Sequence, residues 1–199
     1  MTQPRRPGRP RSEEADTAVL QSTLELLAEH GVHGFGMETV AQKAGVAKTT
    51  VYRRWPNKNE LVLDALVHLK GAPEPPSEGS VRGDLLQIVT RMRDQPRADT
   101  GARIIRHIMA EQECCPELVV QFRDRIVRPR RELCHDVLRR GIAEGVIRAE
   151  VDVELATDLV CSSLLVCHMS RARAYSDIEL AFFVDTVLTG IAPTPPATN

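Results

Sequence analysis

The side chains with the clearest chemical purpose lie within AGVAKTTVYRRWPNKNEL, residues 44–61. On a helix over Lys48–Trp55 the exposed set is Lys48, Thr49, Tyr52 and Arg53. Lys and Arg reach phosphates or guanine edges, Thr touches a thymine methyl, and a Tyr hydroxyl donates to a phosphate. Lys58 opens the next helix, so it offers a phosphate both its charge and a helix N-terminus. That chemistry is DNA recognition.

Such side chains must be held by a rigid pair of helices, and METVAQKAGVAKTTVYRRWP, Met37 to Pro56, has the makings of one. Ala41 is small where a second helix crosses close to the first. Gly45 can take the left-handed conformation that a tight turn requires. Val40 and Val51 are apolar and can pin both helices to a preceding one. The pattern alone stays open to a purely structural helix pair, since short helices joined by a Gly turn also occur in proteins that bind no DNA.

Charge placement favours DNA. The 199 residues hold 26 Lys+Arg and 27 Asp+Glu, a net of −1, which by itself points to no polyanion. Residues 1–11 nevertheless carry Arg5, Arg6, Arg9 and Arg11 without an acid, and residues 39–58 carry Lys43, Lys48, Arg53, Arg54 and Lys58 without an acid. Residues 71–199 are net −3. One basic end and a mildly acidic remainder form the split footprint expected of a chain that meets a polyanion at one end.

Other classes are disfavoured. There is no Gly-rich phosphate loop, no G-x-S-x-G and no usefully spaced carboxylate pair. Cys134–His135 and Cys167–His168 are adjacent on helices, so their side chains diverge by about 100° and cannot act as nucleophile and base. No enzyme activity is expected. The longest uncharged apolar stretch, 159–170, is too short to cross a membrane, and MTQPRRPGRPR leads into SEEAD with no apolar region of a secretory signal. Five cysteines without C-x-x-C spacing read as reduced thiols of a cytoplasmic protein. His107, His135 and His168 show no i, i+3 or i, i+4 partnership with those cysteines, so no metal site and no cofactor is expected.

The expected fold class is all-α. GAPEPPSEG, residues 71–79, is a Pro/Gly-rich linker. It divides a head, 1–70, with a basic N-terminal arm and a three-helix helix-turn-helix, from a helical body, 80–192. In the head, helices are predicted from Ser12 to His30, over Met37–Ala44 and Lys48–Trp55, and from a capping box at Asn57–Glu60 to about Lys70. In the body they fall at about 81–94, 101–113, 116–144, 153–171 and 177–190. Pro129 should kink or break the third of these. No segment alternates as a strand would.

The head resembles the TetR family of bacterial transcriptional regulators, from RRPGRPR through LELLAEHGVHGFGMETVAQKAGVAKTTVYRRWPNKNELVLDAL. AGVAKTTVYRRWPNKNEL is especially similar to a branch with the pattern AGVxKxTxYRRWPxKxxL. More weakly, PRRELCHDVLRRGIAEGVIRAEVDVELATDLV is similar to a ligand-binding domain type of the family. The resemblance implies a cytoplasmic, ligand-responsive repressor that binds a palindromic DNA operator as a homodimer, its two heads in successive major grooves. It makes Lys48 to Arg53 the recognition segment, with Thr50, Tyr52 and Lys58 at contacting positions and Arg9 and Arg11 in the basic arm. The family often has Thr or Ser at the N-cap of the first motif helix. Here that residue is Gly36, so Thr39 or a backbone N–H would have to take over its phosphate contact.

The helices at 153–171 and 177–190 are apolar on more than one face, which fits burial against both their own body and a second copy. The resemblance further implies a pocket for a small-molecule effector, for which Arg106, Gln112, Cys134 and His168, with His107 and Cys161 near them, are candidate lining groups. The competing reading is a small-molecule-binding helical protein without operator binding.

Overall fold

In the computed structural model, residues 10–94, 98–162 and 174–192 are described. Every regular element among them is helical. They are α1 (Pro10–His30), α2 (Met37–Lys43), α3 (Lys48–Arg54), α4 (Lys58–Lys70), α5 (Val81–Arg93), α6 (Ala98–Ala110), α7 (Pro116–Phe122), α8 (Arg128–Ala143), α9 (Val153–Thr157) and α10 (Asp177–Ile191). Two π-helical turns, Arg123–Val127 and Asp158–Ser162, follow α7 and α9. No helix among the described residues is long and apolar enough to cross a membrane.

The chain forms two compact units. The first comprises residues 1–71 and 99–125, the second 72–98 and 126–199. Residues 99–125, which follow the 71–79 linker, lie in the first of these two units. A linker shows where a helix run is interrupted; it does not show which surface a later helix covers.

The first unit is built on α4, which packs against α1 and α7. Leu61, Val62, Leu63, Ala65 and Leu66 are all buried, so α4 is enclosed on most sides. From α1 come Val19, Leu24 and Leu27, with the buried Thr23 hydroxyl donating to the Val19 carbonyl at 2.8 Å. Helix α1 starts at Pro10, two residues earlier than a Ser12 cap predicts. Proline is well suited to a first turn, where the missing N–H would have had no partner. The helix ends at Gly31, with φ of +69°, and a Cβ there would lie 2.9 Å from His107 Nδ1 of α6. Both the turn and the close approach exclude a side chain.

The second unit closes around Val81, Leu85 and Val89 of α5, Cys134, Val137 and Leu138 of α8, Val160 of the second π turn, and Leu180 and Val184 of α10. Ion pairs tie its helices together at the rim. Arg82 holds Asp185 with two hydrogen bonds of 2.6 and 2.9 Å, and Arg131 reaches both Glu154 and Asp158 at 2.6 Å. Helix α10 begins with a complete capping box between Ser176 and Glu179.

Pro129 does not end its helix. The backbone continues from α7 into α8 through the π turn Arg123–Val127, directly before the proline. A proline removes one N–H and crowds the preceding turn, and widening that turn relieves both. The Arg130 guanidinium donates to the Ile126 carbonyl at 2.8 Å beside it.

Candidate nucleic-acid interface

Helices α2 and α3 form the helix-turn-helix. Ala41 and Val40 of α2 and Val51 of α3 are buried, as an apolar seam between the two helices and their support demands. The turn is closed by two backbone bonds, Val46 N–H to the Ala41 carbonyl at 3.0 Å and Gly45 N–H to the Gln42 carbonyl at 3.2 Å. This is a Schellman closure, with Gly45 at φ of +67° in the left-handed position. Trp55, just past α3, is buried and donates from Nε1 to Asp64 of α4 at 3.0 Å, which fixes the C-terminal end of α3. Arg125 holds the same Asp64 at 2.5 Å and Glu60 at 2.9 Å.

With Val51 facing inward, α3 presents Lys48, Thr49, Tyr52 and Arg53 to solvent, and Thr50 lies half-buried beside them. Not every base of the segment is available. Arg54 is paired with Asp16 of α1, and Lys43 with Glu25 at 3.3 Å, so these two brace the fold. Thr39 is exposed on α2, and Gly36 is the N-cap of that helix with no side-chain cap.

Two features lay outside the sequence reading. The Tyr52 hydroxyl donates to Glu38 of α2 at 2.7 Å. That bond holds the Glu38 carboxyl below its ordinary pKa, with the Lys48 charge helping, and it raises the phenol's. The ring is thereby fixed between the two motif helices. A partnership spanning fourteen residues leaves no local trace in the chain. The second feature is Lys58, whose ammonium is half-buried, donates to the Phe35 carbonyl at 2.5 Å and lies 4.3 Å from the Phe35 ring centroid. Burial pushes its pKa down against the pull of Glu111 and Cys115. It does sit at the first position of α4, behind an Asn57 cap that accepts from Glu60 N–H at 2.9 Å. Its charge, however, is engaged with the head itself.

The effector candidates lie in both units. Arg106 and Gln112 are exposed and belong to the first unit. Cys134 is buried in the core of the second, and Cys161 packs against that core. Arg9 and His168 lie outside the described residues, as does the Arg11 side chain.

A Schellman-closed helix pair presenting two cations, two threonines and a braced tyrosine defines the class: a helix-turn-helix DNA-binding protein. The comparisons give the family. Residues 19–65 match "Bacterial regulatory proteins, tetR family" and residues 75–187 match "Tetracyclin repressor-like, C-terminal domain". The chain belongs to the TetR family of transcriptional regulators. An HTH-type regulator of Bacillus subtilis, YdeS, is 29% identical over 188 residues, covering 94% of each chain. A DNA-binding transcriptional repressor of Mycobacteroides abscessus, TetR, is 28% identical over 180 residues, covering 89% of this chain and 94% of that one. Among solved structures, the TetR family regulator SCO0332 matches with a TM-score of 0.64 at 28% identity, over 90% of this chain and all of that one.

Proposed function

We propose that this regulator is a repressor that binds a palindromic operator as a homodimer and leaves it when a small molecule binds the segment 80–192. The observation that carries the reading is the exposed face of α3, which joins Lys48, Thr49, Tyr52 and Arg53 on a buried Val51 anchor. The repressor named among the relatives of similar length supports the direction of control. Dimerisation is supported by large apolar side chains left on the surface of the second unit, the most exposed being Leu155, Leu159, Ile178 and Phe182. Release follows if the effector prefers a conformation whose heads no longer match half-sites about 34–36 Å apart. Thr39 and Thr50, with the arm residues Arg9 and Arg11, supply the contacts around the recognition face, and Lys58 adds a phosphate contact only by giving up its hold on Phe35.

The test is selection of fragments from the host genome by the purified protein, followed by titration of the recovered duplex at several salt concentrations. One recurring palindrome is expected, with log affinity falling by about 0.9 per phosphate neutralised for each tenfold rise in salt. Lys48→Ala with Tyr52→Ala should abolish binding. Affinity unchanged in that double variant would remove α3 from the interface, and failure to recover any palindrome would overturn the operator reading.

A further inference from the structure

Glu111, in the turn after α6, is buried although it is a carboxylate. A carboxylate out of water needs a compensating charge. Its partner is His33, from the connection between α1 and α2, whose Nε2 lies 2.6 Å from Glu111 Oε2. Four residues after Glu111, the Cys115 N–H bonds back to the Glu111 carbonyl at 2.8 Å, and Cys115 serves as the N-cap of α7. This turn returns the thiol to the carboxylate, and one donor atom each from His33, Glu111 and Cys115 all lie within 4.8 Å of one another. All three residues belong to the first unit.

We propose that His33, Glu111 and Cys115 form a three-ligand site for a borderline-soft divalent cation of the Zn2+ type. An imidazole nitrogen, a thiolate sulfur and a carboxylate oxygen are the donors that such an ion takes in tetrahedral sites, with the fourth position left to water. One oxygen donor is too few for Ca2+ or Mg2+, which take mainly oxygen ligands. To bind, the proton between His33 Nε2 and Glu111 is lost to solvent or taken up again at His33 Nδ1, the thiol gives its proton to solvent, and the freed lone pairs of Nε2, Sγ and the carboxylate turn to the ion. The metal would fasten the segment entering α2 to the α6–α7 turn, beside Lys58, whose ammonium already feels the charge of Glu111. A second positive charge there works against the hold on Lys58, so the site sits where occupancy can be felt by the recognition helix's surroundings.

Glu111 and Cys115 have the i, i+4 spacing, and His33 lies 78 residues from Glu111 along the chain.

The experiment uses the full-length reduced protein and Co2+ alone as probe, because a thiolate–Co2+ charge-transfer band reports sulfur ligation and intense visible bands report tetrahedral geometry. One equivalent per chain is expected to produce both, and Zn2+ should displace them. Cys115→Ser should lose the charge-transfer band, and His33→Ala and Glu111→Gln should each weaken Co2+ binding by about tenfold or more. Cys114→Ser, which changes the exposed neighbouring thiol, should leave the spectrum intact. Helical circular dichroism recorded on each variant keeps loss of ligation distinct from loss of fold. No tetrahedral cobalt spectrum in the wild-type protein, a charge-transfer band that survives Cys115→Ser, or one that disappears in Cys114→Ser would overturn the site, leaving His33 and Glu111 an ordinary ion pair.

Discussion

Asp84 shows how one side chain can organise a loop. Its carboxylate is buried, accepts from Glu78 N–H at 2.7 Å and Gly79 N–H at 3.3 Å, and faces Arg140 at 2.5 Å. Burial works to raise its pKa, but the Arg140 hydrogen bond and charge and the two backbone donors outweigh it, and the net shift is downward. A carboxyl depressed in the folded state contributes stability above its unfolded pKa of about 3.9, and that contribution is lost as pH falls through the lower folded value. Asp84→Asn should therefore cost about 2 kcal/mol near neutral pH, the scale of a hydrogen bond to a charged group. In urea unfolding the gap between wild type and variant should close below about pH 4. A gap that persists into acid would assign the cost to packing instead of charge. The same scale explains why Glu38, Lys58 and Glu111 were not legible in the sequence. Each owes its role to a partner 14, 23 or 78 residues away, and no periodicity encodes such distances.

At the scale of elements the turn between α2 and α3 carries the most information per residue. Gly45 adopts φ of +67°, and a Cβ built there meets nothing within 4 Å. Gly45→Ala therefore changes backbone energy alone, and a cost of about 1–2 kcal/mol is expected from the left-handed conformation. Thermal or urea unfolding measures it, and a neutral substitution would show that the turn can be made in another conformation. This turn was legible because its determinants are local: a small Ala41, a permissive Gly45 and apolar Val40 and Val51 within one short stretch. Helix positions were legible for the same reason. Periodicity and caps place α2, α3, α4, α5 and α10 within a residue or two of where they fold. What was not legible followed from tertiary choice. Helix α6 begins and ends three residues before the span expected for it, and residues 99–125 join the first unit because apolar faces on α4 and α7 meet there. Just before Pro129 the chain makes a π turn, a compromise that depends on what holds both flanks.

For the whole molecule, the decisive question is what covers the apolar residues of the second unit. Ile178 is 82% exposed and Phe182 73%, one helical turn apart on α10, and Leu155 and Leu159 are similarly spaced across α9 and its π turn at 63% and 56%. Burying such a side chain is worth about 1.5–3 kcal/mol, so leaving four in water is costly unless another surface meets them. The same helices carry a buried set, with Val160, Leu180 and Val184 facing their own core, so each has two apolar faces, of which one is buried among the described residues. A second copy supplies an identical face, which a twofold interface requires. Ile178→Asp with Phe182→Asp tests this cleanly, because charges at such exposed positions should change the folding stability of the single chain by no more than about 0.5 kcal/mol. Light scattering should give about twice 22.1 kDa for the wild-type protein and 22.1 kDa for the variant. Operator affinity should fall with it by about 10²–10⁴, since the second head then loses the effective concentration that a linked partner provides. The α3 face is untouched by these changes, so the monomer should keep weak, salt-sensitive binding to a half-site. A variant that stays dimeric with undiminished operator affinity would move the interface to another surface, and a wild-type protein that is monomeric at micromolar concentration would remove it.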